Sequence, residues 1–211
     1  MTPQLLPLPA PMENPRRTAE HLERIARRQD ALREFTSTFL ARFPTFTLEI
    51  GCGHGHFLTA YATARPTEIC LGLDLIAERI ARANRKKTRA RLDRLHFVHA
   101  SAEDFLAVLP PAARLSAVFI LFPDPWPKRR HHKNRIMQSH FLETLSTRAL
   151  PETRLYFRTD DNDYFRATTT VIRSHSRWQI VEELWPFEHD TVFQQRAPAY
   201  QSLVARPKPA H

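Results

Sequence analysis

A chain of 211 residues with 42% hydrophobic content is long enough to bury a core of its own. Its 31 lysines and arginines against 22 aspartates and glutamates leave a formal net charge of +9, which favours polyanionic partners, nucleic acid ahead of anionic membrane. No apolar run approaches the roughly 20 residues of a membrane span, no leader-like apolar core stands near the N-terminus, and Cys52 and Cys70 alone make no disulfide framework, so a reduced, cytoplasmic protein is expected.

In chain order, residues 1–17 carry Pro3, Pro7, Pro9, Pro11 and Pro15 and read as a disordered or loosely docked tail. Residues 18–211 read as one domain. Leu22, Ile25, Leu32, Phe35, Phe39 and Phe43 recur at helical spacing, which predicts a helix from Thr18 to Phe43, stopped by Pro44. Strands and helices then alternate: strand Phe46–Ile50, helix Gly55–Arg65, strand Ile69–Leu73, helix Ala77–Leu92, strand Leu95–His99, helix Glu103–Leu109 and strand Leu115–Leu121. A helix over Arg135–Leu150, a strand over Arg154–Arg158, a helix over Tyr164–Ser174 and late strands over Gln179–Leu184 and Tyr200–Ala205 complete the pattern. That alternation predicts an α/β fold with a doubly wound, mainly parallel sheet of about seven strands. Ligands in such a sheet bind beyond the carboxyl ends of the strands, at the switch point.

All four glycines, Gly51, Gly53, Gly55 and Gly72, fall near the first two strands. In a chain so short of glycine, Gly-x-Gly-x-Gly points to backbone that needs positive φ or a close ligand. A nicotinamide-binding turn would prefer G-x-G-x-x-G. Here the third glycine comes one residue early, His56 stands at the last position, and Glu49 adds a negative charge unwelcome beside a pyrophosphate. The segment Glu49-Ile50-Gly51-Cys52-Gly53-His54-Gly55 resembles motif I of S-adenosylmethionine-dependent class I methyltransferases, whose cofactor is cationic at its sulfonium and amino groups. Asp74, ending the second strand, can accept from both ribose hydroxyls or cap the following helix. His54 and His56 lack companions at metal-ligand spacing, so no metal is expected.

The fourth strand runs into Phe122-Pro123-Asp124-Pro125-Trp126-Pro127-Lys128, followed by Arg129-Arg130-His131-His132-Lys133-Asn134-Arg135. Three prolines stiffen the backbone around one carboxylate and one tryptophan, at the sheet edge where an acceptor would sit. Methyltransferases of exocyclic nucleic-acid amines carry D/N-P-P-Y/F/W there, and this chain lacks the second proline. Guanine N7 has a free in-plane lone pair, so its methylation asks for positioning and electrostatics more than for a base. Trp126 is either an apolar wall for the acceptor or a core aromatic, and Asp160 either an acceptor or a helix cap.

Together with Arg158-Thr159-Asp160 and Thr191-Val192-Phe193-Gln194-Gln195-Arg196, these segments resemble the signature of the tRNA (guanine-N7)-methyltransferase family, in family order from Leu48 to Arg196. The resemblance implies a Rossmann-like class I fold and transfer from S-adenosylmethionine to a variable-loop guanine of tRNA. It implies cofactor contacts at Glu49, Gly51, Gly53, Asp74, Ser101 and Asp124, with Asp124 catalytic. Substrate contacts would fall at Lys128, Asp160, Thr191 and Gln194, and RNA contacts at Arg130, His131, His132, Lys133, Asn134 and Arg135. Three positions depart from the pattern: Asp74 for Glu, Ser101 for Asn or Asp, and Gln194 for Glu. A second cationic stretch, Arg79, Arg82, Arg85, Lys86, Lys87, Arg89, Arg91 and Arg94, is either a solvated helix or part of the RNA face. Nothing in the sequence calls for a metal, a membrane or an obligate protein partner. The alternatives are a nicotinamide oxidoreductase, a catalytically impaired RNA-binding relative and an N-methyltransferase of another RNA.

Overall fold

The computed structural model describes residues 15–189 and 199–209. The expected 1–17 tail therefore lies largely outside the described residues. The first helix, α1 (Pro15–Arg42), begins three residues before the expected Thr18. Leu32 and Leu40 are buried along it, and Phe35, Phe39 and Phe43 pack half-buried at the same helical spacing. Thr36, buried between them, donates to the carbonyls of Arg33 (3.1 Å) and Val108 (3.2 Å), which ties α1 to the domain. Pro44 then ends the helix, as its missing amide requires.

Seven strands make one sheet: β1 (Thr45–Ile50), β2 (Cys70–Asp74), β3 (Leu95–His99), β4 (Arg114–Leu121), β5 (Ala149–Thr159), β6 (Trp178–Val181) and β7 (Gln201–Pro207). Their order is β3-β2-β1-β4-β5-β7-β6. The first five are parallel, and β7 runs antiparallel to both β5 and β6. The order reverses between β1 and β4, which opens the ligand crevice there. Connecting helices are α2 (His56–Ala64), α3 (Ala77–Ala90), α4 (Ala102–Ala107), α5 (Ser139–Ser146) and α6 (Asn162–Ser174).

Side chains alternate across the strands and feed two cores. Phe46, Leu48, Leu71, Leu73, Val118, Ile120, Leu155 and Phe157 pack beneath α1, α4, α5 and α6. Cys70, Phe97, Ala117, Phe119, Tyr156 and Val204 pack against α2 and α3. Near 25 cal/mol per Å² of apolar surface, these two faces dominate the favourable side of folding.

One element departs from the sequence reading. The helix expected over Arg135–Leu150 is a short 3₁₀ helix (Arg129–Asn134), an extended stretch, α5 and the first residues of β5. Arg135 itself is extended (φ −63, ψ 132). Its guanidinium and the Met137 amide are both committed to distant partners, Pro125, Asp163 and Tyr164, which overrides the local helical pattern.

Candidate active site

At the end of β1 the chain turns through Gly51 (φ 75), Gly53 (φ 53) and Gly55 (φ 71), all left-handed. The amides of Gly51 and Cys52 both donate to the Leu73 carbonyl at 2.8 Å, joining the turn to β2. A Cβ on Gly51 or Gly53 would meet nothing within 4 Å, whereas one on Gly55 or Gly72 would lie 2.6 Å from the Phe97 ring. The first pair leaves open space above bare backbone. The second serves packing.

Glu49, one residue before Ile50, is 3% exposed, and its Oε2 has no hydrogen-bond partner. Burial, and then the neighbouring Asp74 charge, push its carboxyl up to about 8, against the pull of the Leu58 amide. A buried, unpartnered acceptor is costly, and a cationic ligand carries the donors that would satisfy it. Asp74 accepts from the Gly53 amide at Oδ2 (3.0 Å) and from the Ile76 amide at Oδ1 (2.8 Å). It thus turns the chain toward α3 without capping the helix, Arg79 Nη1 lies 3.6 Å from Oδ2, and Oδ1 keeps a further acceptor site for a ribose hydroxyl. Beside it Leu75 and Ile76 expose apolar side chains. The sequence reading missed these two, although an apolar pair directly after a strand-end acid is a legible signal for the face of a planar ring. Ser101 caps α4, its Oγ accepting from the Asp104 amide (3.0 Å), with its hydroxyl hydrogen left for another acceptor.

Across the crevice, Phe122 (φ 50) and Trp126 (φ 47) bracket Asp124 in the same left-handed region. A bulky residue there costs on the order of 1–3 kcal/mol. Two bonds hold the corner: the Phe122 amide donates to the Arg158 carbonyl (2.8 Å), and Arg135 Nε donates to the Pro125 carbonyl (2.7 Å). A hydrogen bond from a charged group contributes about 1.5–3 kcal/mol, enough to offset one such residue. Trp126 is 36% exposed and meets His131 edge-on at 5.9 Å, so it is no core aromatic. Asp124 and Lys128 are exposed.

Asp160 is exposed at the end of β5. The cap of α6 is Asp161, whose Oδ1 accepts from the Tyr164 amide (2.7 Å), so Asp160 is not spent on capping. Behind it, the buried Arg158 guanidinium lies between the rings of Trp185 (4.0 Å) and Tyr200 (4.6 Å). It donates to both oxygens of Glu188 (3.0 and 2.9 Å) and to Ser202 Oγ (2.8 Å). Arg158 therefore holds the chain on both sides of residues 190–198. Thr191 and Gln194 lie outside the described residues.

The cationic run divides. Arg130, Lys133 and Asn134 are exposed and His131 and His132 half-buried, while Arg135 is 3% exposed. The guanidinium that the resemblance assigned to RNA is turned inward onto Pro125, Asp163 and the Tyr164 ring. On α3, Arg82, Arg85 and Arg89 face solvent. Lys86 instead donates to the His54 carbonyl (2.7 Å) and sits 2.9 Å from His56 Nε2. Burial, reinforced by that lysine, lowers the His56 imidazole below its ordinary value. Among the described residues, no group of three His, Cys, Asp or Glu side chains could hold a metal ion, and no helix is long and apolar enough to cross a membrane.

Residues 44–202 match the sequence family described as "Putative methyltransferase". The tRNA (guanine-N(7)-)-methyltransferase of Acidithiobacillus ferrooxidans is 35% identical over 159 residues, covering 75% of this chain and 68% of that protein. The chain belongs to the tRNA (guanine-N7)-methyltransferase family. The family member of Rubrobacter xylanophilus is 34% identical over 136 residues, 64% of this chain and 60% of its own length. The chain thus spans about three fifths of some of the curated family members it matches. Among solved structures, the aminoglycoside resistance methyltransferase NpmB1 superposes with a TM-score of 0.57 at 16% identity, over 83% of this chain and 93% of that one. The ribosomal protein L11 methylase of Lactobacillus delbrueckii subsp. bulgaricus gives 0.55 at 13% identity, over 86% and 79%. At that identity the likeness shows the fold, a Rossmann-like class I methyltransferase sheet.

Proposed function

We propose that this chain transfers the methyl group of S-adenosylmethionine to N7 of a guanine in the variable loop of tRNA. The observation that carries this is the strand register. Ile50 of β1 pairs with Ile120 of β4, so the glycine turn and the Asp124 corner leave neighbouring strands at one level and face a common crevice. The orphaned Glu49 Oε2 and the open space over Gly51 and Gly53 fit a cofactor with cationic groups held close to backbone. Glu49 would take a cationic group, Asp74 the ribose and Leu75–Ile76 the adenine face, while Ser101 offers its hydroxyl hydrogen. Bound there, the cofactor supplies an electrophilic methyl on a sulfonium sulfur.

The rest falls to the chain. Guanine N7 presents a lone pair in the ring plane and no proton to remove, so the protein must orient the ring and exclude alternatives. Trp126 offers an exposed aromatic face for the base. Asp124 and Asp160, at the ends of adjacent strands, offer carboxylate oxygens to the N1–H and N2–H₂ donors of the opposite edge. They also stabilise the positive charge that grows on the ring as N7 is alkylated. Lys128, Arg130 and Lys133 bring phosphates to the corner without reading sequence. Incubation with isotopically labelled cofactor and unmodified tRNA should place the label on N7 of a variable-loop guanine. Label on an exocyclic amine, or on no base, would overturn the assignment.

A further inference from the structure

We propose that Arg135 is a positioning residue, whose buried guanidinium fixes the Asp124 corner relative to the Asp160 end of β5. This rests on the acceptor roles given above to those two carboxylates. In the sequence Arg135 closes a run of cations and looks like one more phosphate ligand. In the fold its Nε bonds to the Pro125 carbonyl (2.7 Å), its Nη1 to Asp163 Oδ2 (2.9 Å), and its plane lies 4.8 Å from the centre of the Tyr164 ring. The same Tyr164 accepts at its hydroxyl from the Met137 amide (3.3 Å), which pins the backbone just beyond Arg135.

These partners belong to two segments, the Asp124 corner and the start of α6. Pro125 lies between Asp124 and the left-handed Trp126, so its carbonyl fixes the peptide plane that aims both side chains. Asp163 and Tyr164 form the first turn of α6, which begins two residues after Asp160. Leu121 and Arg158 are paired across β4 and β5. Beyond that last paired rung the two segments leave the sheet, and the buried Arg135 bridges them. A planar guanidinium serves both acceptors at once, whereas an ammonium is a point charge without that fork. The Asp163 carboxyl, held below its usual value chiefly by its bond to Arg135, reports the pairing from its exposed side.

The test compares wild type, Arg135→Ala, Arg135→Lys and Asp163→Ala by amide hydrogen exchange over residues 123–128, transfer kinetics and tRNA affinity against salt. Arg135→Ala should speed exchange at Asp124, Trp126 and Lys128 by about tenfold. It should lower kcat by about 10²-fold, with KM for tRNA and the salt slope unchanged and partial recovery in Arg135→Lys. Unchanged exchange, or weaker tRNA binding with the salt slope reduced by about one, would refute the positioning role and restore a phosphate contact. Should Arg135→Ala not fold, Asp163→Ala, which removes the acceptor at a side chain 58% exposed, must still loosen the same amides, and failure to do so refutes the proposal. A wild-type protein inactive on guanine N7 would remove the functional assignment, while the exchange measurement, which needs no substrate, would still decide the role of Arg135.

Discussion

Between Ile50 and His56 the chain turns on three glycines whose amides bond within a few residues or to the adjacent strand, at Cys52, Leu73 and Asp74. Between Leu121 and Lys128 it makes a comparably tight turn on bulky aromatics, Phe122 and Trp126, with φ in the same left-handed region. There the hold comes from two arginines: Arg158, which supplies a carbonyl to Phe122, and Arg135, which donates to Pro125. The cofactor side is therefore built from backbone freedom, and the acceptor side from strain held by a backbone bond to β5 and by the side chain of Arg135. A side built from freedom tolerates distant mutations. A side built from strain transmits them.

The largest separation between the two sides should appear in salt. On the proposed function the acceptor side takes a polyanion and the cofactor side does not. Neutralising about six phosphates would cost tRNA affinity about 10³-fold over a fourfold rise in salt, with cofactor affinity nearly flat under the same titration. A flat tRNA response would erase the distinction.

The next effect belongs to Glu49. With its carboxyl at about 8 in the free protein, the group is protonated at neutral pH, and a cationic ligand favours the ionised form. Cofactor binding should release a proton, and affinity should rise by up to tenfold per pH unit toward about 8 and then level. Glu49→Gln should abolish that dependence. Because the folded value lies above the ordinary 4.5, the same carboxyl costs the free chain stability as pH rises from about 4.5 toward 8. Calorimetry in buffers of different ionisation enthalpy measures the proton, and equal heats after correction for binding would contradict it.

Smaller effects divide the glycines. Gly72→Ala and Gly55→Ala place a Cβ 2.6 Å from Phe97; the clash should destabilise by about 1–3 kcal/mol in chemical denaturation, and Gly55→Ala, left-handed at φ 71, by about 1–2 kcal/mol more. Gly53→Ala meets no neighbour and should cost only the left-handed penalty, about 1–2 kcal/mol, while weakening the cofactor. Equal losses for all three would dissolve the division between a cradle and a packing glycine. Least of all, Arg130→Ala should weaken tRNA binding uniformly and lower the salt slope by about one, with the melting temperature unchanged.

This contrast also explains what the sequence disclosed. The elements from β1 to β3 fall within two residues of their expected bounds because amphipathic spacing and a glycine turn are local. Glu49 and Asp74 could be singled out for the same reason. The helix expected over Arg135–Leu150 fails because Arg135 is bound to Pro125 and Asp163, contacts no local pattern contains. The clamp of Arg158 on Glu188 and Tyr200 was equally invisible, its partners lying 30 and more residues away. Trp126 could not be placed from sequence either, since its exposure goes with a left-handed backbone beside the carbonyl that Arg135 holds.

Of all the side chains at the crevice, Asp124 should matter most to transfer. Single-turnover transfer to tRNA at saturating cofactor should fall by about 10²–10³-fold in Asp124→Ala, in a protein that melts at the wild-type temperature. A near-wild-type rate in that variant would contradict the acceptor site assigned to this corner.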